Sequence, residues 1–77
     1  MSDHPHRCLD ASIAAMRSAR RLAIESRRMA DEFPAAYAYF MAESSRHFRR
    51  ARSYIRDVRK YRDEIEYRAA QNVLEAA

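Results

Sequence analysis

The stretch Asp31-Glu32-Phe33-Pro34-Ala35-Ala36-Tyr37 decides the fold, because it holds the only proline between two long runs that both read as helix. A proline disfavours the α region at the residue before it, so Phe33 is pushed toward extended backbone and the first run must stop there. Asp31 is a candidate N-cap for the second run, with Glu32 and Pro34 in the first turn, where negative charge and a missing N–H are both well placed. A chain reversal is therefore expected at residues 31–34. The only other proline is Pro5, and glycine is absent altogether. That excludes architectures that depend on positive-φ turns, including tight β-hairpins, phosphate-cradling glycine loops and dinucleotide-binding fingerprints.

C-terminal to the reversal, Tyr37, Met41, Ser44, Phe48, Ala51, Ile55, Val58, Arg62, Ile65, Ala69 and Asn72 follow alternating steps of four and three. This is a heptad seam, and a second column of Phe40, His47, Tyr54 and Tyr61 lies beside it. N-terminal to the reversal, Leu9, Ile13, Met16, Arg20, Ala23, Arg27 and Ala30 repeat the pattern with smaller side chains. The spacing predicts one helix over about Leu9–Ala30 and a second over about Ala35–Leu74, roughly 33 Å and 60 Å long at 1.5 Å per residue. Residues 1–8 are expected to form a flexible tail and 9–77 a single helical domain. The class is all-α: a helical hairpin with a long second helix.

The mismatch in length leaves residues 58–74 without intrachain cover. Bulky aliphatics are also scarce, since Ile, Leu, Val and Phe together are 12 of 77 residues, below the roughly 20% at which a chain struggles to fill a core. Association of two hairpins into a four-helix bundle, a homodimer, resolves both shortages. The alternative is a break near Asp63, where Arg59, Lys60 and Arg62 suit a helix C-terminus and Asp63 with Glu66 resembles a capping box, giving a three-helix bundle in one chain.

Fifteen basic residues against eleven acidic give a net charge of +4, and 14 of the 15 are arginines. The charge is concentrated. Residues 46–62 carry eight cations against Asp57, and residues 17–28 carry five arginines against Glu25. Arg46, Arg49, Arg50, Arg52, Arg56, Arg59 and Lys60 form a candidate anion or nucleic-acid surface, because guanidinium groups engage phosphate bidentately and counterion release drives such binding. The plainer reading is a solvated helix face, with Glu43–Arg46, Asp57–Lys60 and Arg59–Asp63 as neighbouring pairs. Arg20, Arg27 and Arg62 fall on seam positions, where a charge must be paired or reach solvent along its stem.

His4, His6 and Cys8 alternate near the N-terminus and are candidate metal ligands, with Ser2-Asp3-His4 also a terminal chelate for Cu(II) or Ni(II) once Met1 is removed. Against this stands an ordinary flexible terminus. Glu43 and His47 lack the Glu-x-x-His arrangement of a di-iron bundle. No catalytic constellation is placed by a recognisable loop, so neither an enzyme nor a cofactor is expected. No apolar run approaches a membrane span, and neither a secretory signal nor an internal disulfide is expected, which together suggest a cytoplasmic protein without membrane contact.

The residues thus describe a small basic helical adaptor that self-associates and binds a macromolecular partner through its long helix. Phe40, Phe48, Tyr54, Ile55, Val58, Tyr61 and Ile65 are expected to supply the contact, since aromatic residues dominate many interfaces. The partner is a protein or, alternatively, a nucleic acid held by the arginine-rich segment.

Overall fold

The computed structural model describes residues 4–77. It contains two helices, α1 over His4–Glu32 and α2 over Tyr37–Ala76, joined by one turn of 3-10 helix at Pro34–Ala36. The expected all-α hairpin with a long second helix is what forms. The molecule measures 65 × 15 × 13 Å, and α2 at 1.5 Å per residue supplies about 60 Å of that length.

The reversal sits where Pro34 demands it, but Asp31 plays a different part from the one expected. Asp31 and Glu32 complete α1, and the Phe33 N–H donates to the Met29 carbonyl at 2.9 Å to close its last turn. Phe33 then leaves the helical region with φ −123° and ψ 76°, as the residue before a proline should. The Ala36 N–H donates to the Phe33 carbonyl at 2.9 Å, so the linker satisfies its own backbone and needs no side-chain cap. No described residue has positive φ. A 3-10 turn behind a proline thus reverses this glycine-free chain.

One boundary differs from the sequence reading and one alternative falls away, and both bear on how much of α2 is covered. α1 starts at His4 rather than Leu9, so residues 4–8 of the expected tail are helical. Pro5 is tolerated there because a first-turn residue has no intrahelical N–H bond to lose. It is buried, and it lines a shallow cleft with Ile65, Ala69 and Asn72. α2, for its part, runs unbroken through Asp63, which removes the three-helix alternative. No glycine or proline interrupts it, and its heptad pattern stays in phase. The added turn of α1 covers α2 as far as Ile65, so Tyr61 and Ile65 are half-buried. Only the last turns project, where Val73 and Leu74 are 70% and 71% exposed.

The seam itself is shifted. On α1 it runs through Pro5, Leu9, Ser12, Met16, Ala19, Ala23, Ser26 and Ala30, all buried or half-buried, while Arg20 and Arg27 are exposed. On α2 it runs through Phe40, Ser44, His47, Ala51, Tyr54, Val58, Tyr61 and Ile65, and Phe48, Ile55 and Arg62 are exposed. Alternate positions of each expected seam survive (Leu9, Met16, Ala23 and Ala30; Ser44, Ala51, Val58 and Ile65). Those between them are replaced by the neighbour one residue before, and Tyr37, Ala69 and Asn72 are exposed. The physical reason is close approach. Ala19, Ala23 and Ala30 have no bulk, so α2 comes near enough for the Ser44 hydroxyl to donate to the Ala23 carbonyl at 2.8 Å in a buried contact. Arg20 or Arg27 in that seam would hold the backbones apart and bury a guanidinium.

The Ser44 bond yields a direct expectation. Ser44→Ala removes a donor while the Ala23 carbonyl keeps its own helical partner, so no buried group is orphaned and the loss is about 1 kcal/mol. Urea unfolding followed by circular dichroism measures it.

Candidate partner-binding edge

Antiparallel pairing sets Ala23 level with Ser44, and Cys8 level with Tyr61. The same register brings Ile13 level with Ile55 and Arg20 level with Phe48. In an antiparallel pair, residues one step past alternate seam positions lie on the same side of both helices. On this chain they form one long edge. From α1 it takes Ile13, Arg17, Arg20, Ile24 and Arg27, and from α2 it takes Met41, Ser45, Phe48, Arg52, Ile55, Arg59 and Arg62. Six arginines are thus interleaved with five apolar side chains, and the carboxylates that share the line, Asp10, Asp31 and Glu66, fall only at its ends.

The opposite edge is built differently. There α1 contributes Cys8, Ala15, Leu22 and Met29, and α2 contributes Glu43, Arg50, Asp57 and Glu64. Glu43 accepts from Arg46 at 2.9 Å and faces His47 Nε2 at 3.6 Å, while His47 Nδ1 accepts from Arg50 at 3.1 Å. Glu64 accepts from Arg68 at 2.8 Å. The ion-paired carboxylates therefore lie away from the cationic edge. Among the described residues, Arg46 and Arg68 are the only arginines in ion pairs. The expected pairs Asp57–Lys60 and Arg59–Asp63 do not form; Lys60 lies instead over the Tyr61 ring, 5.5 Å from its centroid.

The residues named from the sequence are divided by this geometry. Phe40, Tyr54, Val58, Tyr61 and Ile65 belong to the intrachain seam, whereas Phe48 and Ile55 are each 36% exposed and stand on the free edge. Arg49, Arg50, Arg52, Arg56, Arg59 and Lys60 are all exposed. Of these, Arg52 and Arg59 lie directly on the edge. The α1 residues Ile13, Arg17, Arg20, Ile24 and Arg27 are the part that reading α2 alone does not supply. Their signal was present in the sequence as a second four-three spacing, one residue out of phase with the alanine seam.

The N-terminal ligand set is brought together only in part. Cys8 Sγ lies 3.9 Å from both ring nitrogens of His4, one helical turn away. His6 stands two residues from each, which on a helix is the far side. No group of three metal-ligating side chains occurs among the described residues. The terminal amine, Ser2 and Asp3 of the chelate lie outside the described residues. Cys8 also acts on Tyr61: its hydrogen bond and its potential negative charge hold the phenol above its ordinary pKa of 10.0, with Asp57 and Glu64 adding to the effect. No described helix is long and apolar enough to cross a membrane.

Unpaired like charges along one edge repel, and the repulsion opposes the compact state. The Debye length falls from about 10 Å at 0.1 M salt to about 3 Å at 1 M. Thermal unfolding is therefore expected to move upward as NaCl is raised across that range. A protein dominated by attractive surface ion pairs would move the other way.

Comparison with protein-family models, with curated proteins and with solved structures finds no match to this chain.

Proposed function

We propose that this chain is a non-enzymatic helical interaction module that binds a macromolecular partner through the mixed cationic and apolar edge of its hairpin, chiefly along α2. One observation carries the reading. Phe48 and Ile55 stand exposed on the same edge as Arg52, Arg59 and Arg62, none of which is ion-paired among the described residues. A merely solvated face gains nothing from aromatic and aliphatic groups, and its cations would be expected to alternate with acids. Arginine and aromatic side chains are the residues that carry most binding energy at interfaces. Site-specific photocrosslinking in a native lysate tests the reading. A crosslinker at Ile55 is expected to capture a partner that the same group at Ser18, on the outer face of α1, does not. Equal capture from both positions, or none from either, contradicts it.

Self-association is a second reading, favoured by the exposure of Tyr67, Val73 and Leu74 at the projecting end of α2, each at least 64% accessible. Two such ends laid side by side in a homodimer would cover one another and extend the hairpins into a four-helix arrangement. Sedimentation equilibrium across a hundredfold concentration range tests it, and a monomer mass throughout would end it.

A further inference from the structure

Resting on the reading of the edge as a docking surface, we propose that its occupant is an acidic amphipathic helix of a protein partner, which completes a three-helix bundle. The groove between α1 and α2 on this side has an apolar floor along α2, at Met41, Phe48 and Ile55, and a cationic border. Ile13, Met41, Phe48 and Ile55 lie nearest the seam together with Arg20, Arg27 and Arg62, and Arg17, Arg52 and Arg59 stand farther out on the two flanks. From Met41 to Arg62 the groove is about 32 Å long at 1.5 Å per residue, so a helix of about 21 residues spans it. Such a helix places an apolar stripe on the floor and carboxylates against the rim, the helix-in-groove mode with charge setting orientation and partner choice.

Charge complementarity selects this occupant over two others. A second copy of the chain brings its own six arginines to the same edge, which like-charge juxtaposition disfavours. A nucleic acid satisfies the arginines but gains little from an aliphatic floor, and Phe48 is the sole aromatic ring there for a base to stack on.

The test uses the full chain and three probes. The first is a peptide of about 28 residues with leucine at the a and d positions of each heptad and glutamate at e and g. The second carries lysine in place of glutamate, and the third is a nucleic-acid duplex of about 20 base pairs. Anisotropy titrations at about 50 mM and about 200 mM NaCl separate electrostatic from apolar contributions. The glutamate peptide is expected to bind and the lysine peptide not to. In the double variant Arg52→Glu, Arg59→Glu the glutamate peptide weakens by at least about tenfold, which is 1.4 kcal/mol, and the lysine peptide gains. Both positions are exposed, and circular dichroism confirms that the variant keeps its helicity; Arg52→Gln serves as the milder change. Equal binding of both peptides overturns the proposal. Binding of the duplex alone overturns it in favour of a nucleic acid, and leaves the docking-edge reading standing. A dimer that dissociates in the double variant overturns it in favour of a second copy. A monomer that binds no probe overturns both the proposal and the reading beneath it.

Discussion

Ala23→Leu lowers the stability of the hairpin by about 3 kcal/mol, the largest effect expected of any single apolar substitution in this chain. Ala23 is fully buried, and its carbonyl accepts the Ser44 hydroxyl at 2.8 Å. A leucine there has no space on the α1 side of the seam, and the rigid helix backbones cannot relax locally. Overpacking of this kind costs about 1–3 kcal/mol, and parting the helices also breaks the Ser44 bond and leaves its hydroxyl buried, a further 1–3 kcal/mol or so. The measurement is urea unfolding at fixed protein concentration. Ala14→Leu, on the exposed face of the same helix, is the control and should change stability by less than about 0.5 kcal/mol. If the two substitutions cost the same, the alanine seam is not what holds the helices together.

The second large effect separates two neighbouring residues on α2. Val58 is 8% exposed and packs in the seam, whereas Ile55 is 36% exposed on the free edge. Val58→Ala removes two buried methyl groups and leaves a cavity, at a cost of about 2 kcal/mol, because buried truncations lose both transfer energy and packing. Ile55→Ala removes more carbon but less buried surface, and should cost under about 1 kcal/mol. Partner binding is expected to respond in the opposite order, since Ile55 contributes to the docking groove and Val58 does not. Measuring both variants for stability and for capture of the glutamate peptide crosses the two scales. A result in which Ile55→Ala is the more destabilising would place Ile55, not Val58, in the intrachain core.

Much of this architecture is legible in the residues. Phe33-Pro34 marks the reversal, because a proline restricts its predecessor whatever the tertiary context. The four-three spacing marks both helices, and the absence of glycine removes competing folds. Less legible was which side of each spacing meets the other helix. Weighting by apolar character favours Ile13, Phe48 and Ile55 over Ser12, His47 and Tyr54. Contact between two helices is instead decided by how closely their backbones approach, and small residues win that contest on α1. The start of α1 was hidden for a related reason. His4, Pro5 and His6 lack helical periodicity of their own, and Pro5 becomes helical by packing against the far end of α2.

The cationic edge shows the same division between pattern and pairing. Two arginine-rich blocks are plain in the sequence, and so is their partial convergence in a hairpin. Their sidedness emerges only once the seam is known, because a shift of one residue moves Arg20, Arg27 and Arg62 from the core to the rim. That shift also relocates Phe48 and Ile55 from an intrachain contact to an open one. The interface residues named from bulk alone therefore resolve into a structural set around Val58 and an accessible set around Ile55.

The central claim is that one chain folds back on itself through Ala19, Ala23 and Ser44 and leaves the Phe48–Ile55 line open. The most direct measurement is a nuclear Overhauser spectrum of a one-to-one mixture of isotopically labelled and unlabelled protein, filtered to separate contacts within a chain from contacts between chains. Cross-peaks between the Ala23 methyl and the Ser44 side chain are expected within a single chain, with none from Ile55 to Ala23. Ala23–Ser44 cross-peaks found only between chains, or Ile55 in contact with Ala23, would contradict the account.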